Sequence, residues 1–434
     1  MTDGSAASRA AQDASTAAPA APLAGMRVVE ICNTIAGPAC ARLFADFGAE
    51  VTKIEPIEGD GVRQIGKHAD DVSLYAAAIL RNKRSIALDL KSPEGRAIAA
   101  ELIRRADVLV ENNRPGVMER LGFDYATLSA TNPGLVMVRI SGYGQDGPYA
   151  DRPGYGAICE AFGGVRHMTG DPDRPPARVA LATTDYLTAV YAAFGAMTAL
   201  HERHASGRGQ VVDVALYETA FTQMEAYVPA YEKTGFIPQR VGPNLPTMAP
   251  NSLYPTRDGG WILIAANSNA IFARLLDLMQ RRELLDDARF ATIQSRGVRE
   301  HMVALDALIA DWTRTIDAAQ LEPMLREASV PTSRVYTIAD IYQDPHYRAR
   351  GMLERVPHPQ LGHTTQVGIV PRLSRTPGAI RRSGPDIGAD TREVLVALGY
   401  DAARIAQLEA SGSIRCDGPS HAGARREGSG AART

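Results

Sequence analysis

From Met26 onward, short apolar runs alternate with longer stretches of helical period. Residues 26–31 (Met-Arg-Val-Val-Glu-Ile) predict a strand. A helix opens at Gly37-Pro38 and runs through Phe47, where Gly48 ends it. Proline in the first turn and glycine just past the last is the expected asymmetry of a helix. Residues 49–55 predict a second strand, and further strand candidates lie at 85–88, 107–111, 135–140 and 211–215. Helical patterns separate most of them, notably 93–106. Strands alternating with helices predict a Rossmann-like α/β domain, a mostly parallel sheet covered on both faces. Ligands of such sheets bind beyond the carboxyl ends of the strands. That rule places residues 33–37, 111–116 and 141–147 at one rim.

The pattern changes near Gly235. Residues 235–256 carry five prolines, after which 261–266 reads as a strand and 270–279, 299–313 and 317–327 read as helices. The expected organisation is a large domain over 23–225, a smaller α+β domain over 226–339, and a return to the large domain over 340–412. A final helix is expected at 390–411. Residues 1–22, rich in Ala, Ser and Thr, and 413–434, rich in Gly, Ser, Ala and Arg, read as disordered tails. The first of these lacks a basic segment leading into an apolar one, so it is not read as a signal peptide.

Charge narrows the function classes. Lys+Arg number 47 against 49 Asp+Glu, a formal net charge of −2, which predicts no sequence-wide attraction to nucleic acid or to an anionic membrane. No run of 18 apolar residues occurs, so no membrane span is expected. Cys32, Cys40, Cys159 and Cys416 show no C-x-x-C spacing, which fits a reducing cytoplasm better than a disulfide framework.

Common cofactor and metal motifs are missing. Asn33-Thr34-Ile35-Ala36-Gly37-Pro38 follows the first strand where a dinucleotide site would carry G-x-G-x-x-G, and there is no Walker A sequence. His201 and His204 enclose Glu-Arg, which is not a zinc-protease pattern, and read as an exposed helix end. Arg81, Lys83, Arg84, Lys91, Arg114 and Arg120 fall in or beside the loops of the first domain, where they could hold the phosphates of a nucleotide-tailed ligand. Asp185 stands at the start of the run 186–200, which is apolar nearly all round and predicts a buried helix. A carboxylate there faces free backbone N–H groups and the positive end of the helix dipole. On position alone it is a helix cap.

The segments Leu23-Ala24-Gly25-Met26-Arg27-Val28-Val29-Glu30, Ala36-Gly37-Pro38, Asp46-Phe47-Gly48-Ala49-Glu50-Val51-Thr52-Lys53-Ile54-Glu55, Asn82-Lys83-Arg84-Ser85, Leu88-Asp89-Leu90-Lys91-Ser92-Pro93-Glu94-Gly95, Ala106-Asp107-Val108-Leu109-Val110-Glu111-Asn112, Ser141-Gly142-Tyr143-Gly144 and Gly207-Arg208-Gly209-Gln210 occur in this order. Together they resemble the class III CoA-transferases, the family of formyl-CoA transferase and carnitine CoA-transferase, over most of residues 23–412. The resemblance implies an interlocked, ring-shaped homodimer whose large and small domains are joined by two crossings of the chain. It implies that Asp185 is the nucleophile, that Leu88, Lys91, Val117, Arg120 and Leu121 contact coenzyme A, and that Tyr143 and Ile35 border the acyl group. It implies acyl-CoA and carboxylic acid substrates, aspartyl anhydride and aspartyl-CoA intermediates, and no metal or tightly bound cofactor.

Three departures argue against an oxalate/formate pair. Ile35 replaces the glutamine of formyl-CoA transferase, Pro56 replaces an arginine at the adenine, and residues 242–247 stand where that enzyme has consecutive glycines. An α-methylacyl-CoA racemase is the rival on the same fold, but Tyr155 occupies the place of its histidine base. A tyrosine of ordinary pKa is a poor base at neutral pH. A CoA-ester-binding protein without turnover is the third reading.

Overall fold

The computed structural model describes residues 20–245 and 248–416. The described chain divides into two units. The first takes the residues up to Cys159, Ala182–Thr219 and those from Gly351 on; the second is Glu160–Leu181 with Ala220–Arg350.

The first unit is built on one sheet. Its strands are β1 (Arg27–Ile31), β2 (Glu50–Glu55), β3 (Arg84–Leu88), β4 (Val108–Glu111), β5 (Val136–Ser141) and β6 (Val211–Ala215). They lie in the order β3-β2-β1-β4-β5-β6 and all run parallel. Apolar residues alternate between the faces because strand side chains have a period of two. Val28, Val51, Val108, Val136 and Val138 enter one core with the helices α1 (Ala36–Asp46) and, further along the chain, Thr183–Ser206. Val29, Ile54, Ile86, Leu109 and Met137 enter the other, with α2 (Pro93–Arg104), Met118 of α3 (Val117–Arg120) and the C-terminal helices. The expected α/β class with a mostly parallel sheet is therefore observed.

The chain winds outward from β1 through β2 to β3, then returns to β4 and winds the other way. The loops leaving the carboxyl ends of β1 and β4 consequently diverge and leave a crevice between them.

Three local expectations need correction. The final helix is two helices, Thr391–Ala397 and Ala402–Ala410, because Gly399 at φ +96° breaks the run. Residues 413–416 are not tail: Ile414–Arg415 pairs antiparallel with β3, and Ile414 is buried in the second core. The apolar helix is α5 (Thr183–Ser206), counting Gly156–Phe162 as α4, and it is buried on one face only. Thr188, Ala189, Ala192, Ala196 and Ala199 face the core, whereas Val190, Tyr191, Phe194 and Met197 are exposed. Residues 1–19 and 417–434 of the expected tails lie outside the described residues.

The second unit holds an antiparallel sheet of Asn251–Pro255, Trp261–Ala265 and Thr332–Arg334. Tyr254, Ile262 and Ile264 pack with Phe272, Leu275, Leu305 and Leu321 of the covering helices. Residues 160–181, read from the sequence as part of the large domain, fall in this unit. Contacts distant in sequence hold them there: His167 Nε2 meets Pro238 O at 3.1 Å, and the Gly242 N–H donates to Gly170 O at 3.1 Å.

Candidate active site

The crevice is shaped by the segment that follows β1. Thr34 adopts φ +72°, a left-handed conformation that is rare for a β-branched residue. Hydrogen bonds on both sides hold it. The Thr34 N–H donates to Asp60 Oδ1 at 2.8 Å, while Asn33 exchanges two 2.8 Å bonds with the Asn112 side chain in the loop after β4. Buried lysines brace the two ends. Lys53 Nζ donates to Cys32 O at 2.8 Å, and Lys83 Nζ donates to Pro38 O at 2.7 Å.

Each lysine needs a counter-charge, because an unpaired buried ammonium is costly. Glu30 of β1 serves both, at 2.8 Å from Lys53 and 2.6 Å from Lys83, and Asp60 lies 2.7 Å from Lys53. Burial pushes the Glu30 carboxyl up, but the two ammonium groups outweigh it and hold it below its ordinary value. Lys83 is thus a structural cation, not a phosphate ligand. The same correction applies to Arg81, whose guanidinium grips Asp46 at 2.7 Å. Neither is exposed by more than 3%.

Two cavities open at this segment, both within the first unit. One, of about 260 Å³, is bordered by Asn33, Thr34, Ile35, Asn112, Arg114, Arg152, Tyr155 and Asp185 among others. Among the described residues Asp185 is the only acidic one on its wall. The other, of about 570 Å³, is bordered by Ile54, Pro56, Leu88, Lys91 and their neighbours. Asn33 and Asn113 border both.

Asp185 is not the cap of its helix. Ala182 is the N-cap and makes no side-chain capping bond; Asp185 lies in the first turn and is the only acid there. The helix dipole favours a carboxylate at that point. Close backbone packing brings the loop after β5 to the same place. A Cβ built on Gly142 or Gly154 would lie 2.8 Å from the other's Cα, so only glycines allow these segments to touch. Gly156 then abuts the Asp185 carboxylate. The Cys159 thiol beside it is pushed up to about 11, first by burial and then by the negative charge of Asp185.

The residues singled out from sequence divide between these places. Asp185 and Ile35 border the smaller cavity, and Leu88 and Lys91 the larger. Val117, Arg120 and Leu121 border neither; they follow Gly116, itself at φ +83°, with Arg120 exposed. Tyr143 also borders neither and stacks on Tyr217 with ring centroids 6.0 Å apart. Tyr155, weighed from sequence only as a missing base, does line the Asp185 cavity, as do Arg152, Asn112 and Asn113. Their positions near the predicted rim loops were the available signal.

Residues 23–391 match the model of CoA-transferase family III. The chain belongs to that family. Two relatives from Chloroflexus aurantiacus are named CoA-transferases. Succinyl-CoA–D-citramalate CoA-transferase is 46% identical over 392 residues, covering 90% of this chain and 97% of that protein. The succinyl-CoA–L-malate CoA-transferase beta subunit is 39% identical, covering 86% and 93%. A solved CaiB/BaiF family protein from Brucella suis superposes with a TM-score of 0.77 at 32% identity, covering 88% of this chain and 100% of that one. Coenzyme A transfer is the activity the two Chloroflexus relatives share by name.

Proposed function

We propose that this class III CoA-transferase moves coenzyme A from an acyl-CoA donor to a carboxylic acid through covalent attachment at Asp185. The observation that carries the reading is the placement of Asp185 as the one acid, among the described residues, on the wall of a cavity at the sheet's crevice. An Asp185 oxygen attacks the thioester carbonyl, the C–S bond breaks, and the coenzyme A thiolate leaves a mixed anhydride. The thiolate attacks the aspartyl carbonyl, forming an aspartyl thioester and releasing the donor acid. The acceptor carboxylate attacks that thioester, expelling the thiolate again and forming a second anhydride. Attack of the thiolate on the acceptor's acyl carbonyl frees Asp185. Activation is conserved throughout, so these steps use no metal, organic cofactor or ATP.

Leu88 and Lys91 would hold coenzyme A in the larger cavity, with Val117, Arg120 and Leu121 extending the contact along α3. Ile35 would meet the acyl chain. Relatives named for succinate, citramalate and malate support a small dicarboxylate as the acid substrate. The exposed Val190, Tyr191, Phe194 and Met197 on α5 support a homodimer that covers them.

The test is intact-mass analysis after incubation with succinyl-CoA and hydroxylamine. A hydroxamate at Asp185, absent in Asp185→Ala, is expected. No adduct with any of several acyl-CoA donors would overturn the mechanism. Deuterium uptake at the α-carbon of a 2-methylacyl-CoA would then favour racemisation.

A further inference from the structure

We infer that Arg152 binds the far carboxylate of a dicarboxylic substrate in the Asp185 cavity; this rests on the reading proposed above. Arg152 Cζ lies 3.5 Å from the centroid of the Tyr149 ring. Tyr149 meets Tyr143 edge-on at 6.4 Å, and Tyr143 stacks on Tyr217. The guanidinium is therefore backed by a tier of three rings before any ligand arrives. Stacking uses the face of the guanidinium and leaves its in-plane N–H donors available for a two-point bond to a carboxylate. Tyr143 thus becomes a positioning residue that acts through Tyr149.

Three other arginines of this unit are already committed. Arg63 holds Glu55, Arg81 holds Asp46, and Arg139 holds Glu111. Among the described residues no carboxylate pairs with Arg152, nor with Arg114, the second cation on the same wall. The cavity therefore presents two positive groups and one negative group. A diacid engaged at Asp185 by one end brings a second negative charge, and Arg152 with Arg114 supplies its complement. A monoacid leaves both cations unanswered.

The experiment is the rate of Asp185 acylation, read as hydroxamate, from succinyl-CoA, glutaryl-CoA and butyryl-CoA. The wild type is expected to favour the two diacid thioesters. Arg152→Gln should reduce that preference by about 10- to 100-fold, the range of charged hydrogen bonds, with the butyryl rate falling far less than the two diacid rates. Arg152→Lys should keep part of it, and Tyr143→Ala should reduce the same ratio by a smaller factor. An equal loss with all three donors would overturn the proposal in favour of a contact to coenzyme A itself. An unchanged ratio, or a wild type that prefers butyryl-CoA, would also overturn it. Absence of hydroxamate from every donor in the wild type would instead mark failure of the covalent mechanism.

Discussion

Gly156 and Asp185 are packed so closely that a methyl group on the glycine would overlap Oδ2 of the carboxylate and stand 2.9 Å from its Cγ. The first residue of α4 therefore fixes where the carboxylate of α5 can be. Gly156→Ala must push the carboxylate aside. Misplacement of a reacting group by about 1 Å costs roughly 100-fold in rate. A loss of about that size in kcat is expected. Thermal unfolding should change little, because the displaced group borders a cavity with room to receive it. A kcat within about twofold of wild type would show that the contact does not set the geometry of attack.

Lys53 and Lys91, both near the crevice, should behave in opposite ways. Lys53 is 1% exposed and answers both Glu30 and Asp60, so Lys53→Met leaves buried carboxylates short of a counter-charge. Removing one partner of a buried pair costs about 3–5 kcal/mol, and a drop of that order is expected in urea unfolding. Lys91 borders the larger cavity and, among the described residues, makes no such pair. Lys91→Ala should leave the unfolding midpoint in place and raise KM for acyl-CoA by about tenfold, the worth of one charged hydrogen bond.

That contrast marks what could be read from the sequence. The strands and the glycine- and proline-bounded helices were legible because periodicity and punctuation are local. Lys53 and Lys83 were not legible as core residues, since a lysine in a strand or turn carries no sign of the carboxylate that meets it across the sheet. The exposed face of α5 was missed for a related reason: apolar residues all round a helix show what it could bury, not what covers it. At the candidate site, position in the sequence drew attention to Asp185 and Lys91, and family resemblance pointed to them and to Leu88, all of which border the two cavities. Arg152 entered, and Tyr155 changed from a missing base to a cavity wall, only once the backbone contact between Gly142 and Gly154 brought their loop to the cavity.

Thr34 stores strain where the two cavities meet. A β-branched residue in the left-handed region is strained by roughly 1–3 kcal/mol, and glycine removes that strain at some cost in chain entropy. Thr34→Gly should therefore raise stability by about 1 kcal/mol. It should also loosen the wall formed by Asn33 and Ile35 and lower kcat/KM several-fold. Calorimetry with steady-state kinetics on one preparation checks both. A stabilised variant of full activity would assign the strain to folding alone.

Acid stability should be governed by Glu55. It is fully buried, and burial pushes its carboxyl up, but the Arg63 hydrogen bonds, Lys53 and the Ser85 hydroxyl outweigh this and hold it at about 2. Its ordinary value is 4.5, so the folded protein binds this proton less tightly than the unfolded chain. The resulting contribution, about 3 kcal/mol, is complete above pH 4.5 and is lost as pH falls from there toward 2. Glu30, also lowered, acts in the same direction. Glu111 acts with the opposite sign: burial raises its carboxyl more than Arg139 and Asn113 lower it, so it costs stability as pH rises above 4.5. The two effects fall on opposite sides of that value and can be separated. Urea midpoints measured across it should decline steeply on the acid side in the wild type. Glu55→Gln should flatten that decline, and Glu111→Gln should flatten only the shallow slope above it. An acid limb unchanged in Glu55→Gln would mean that other carboxylates carry the transition.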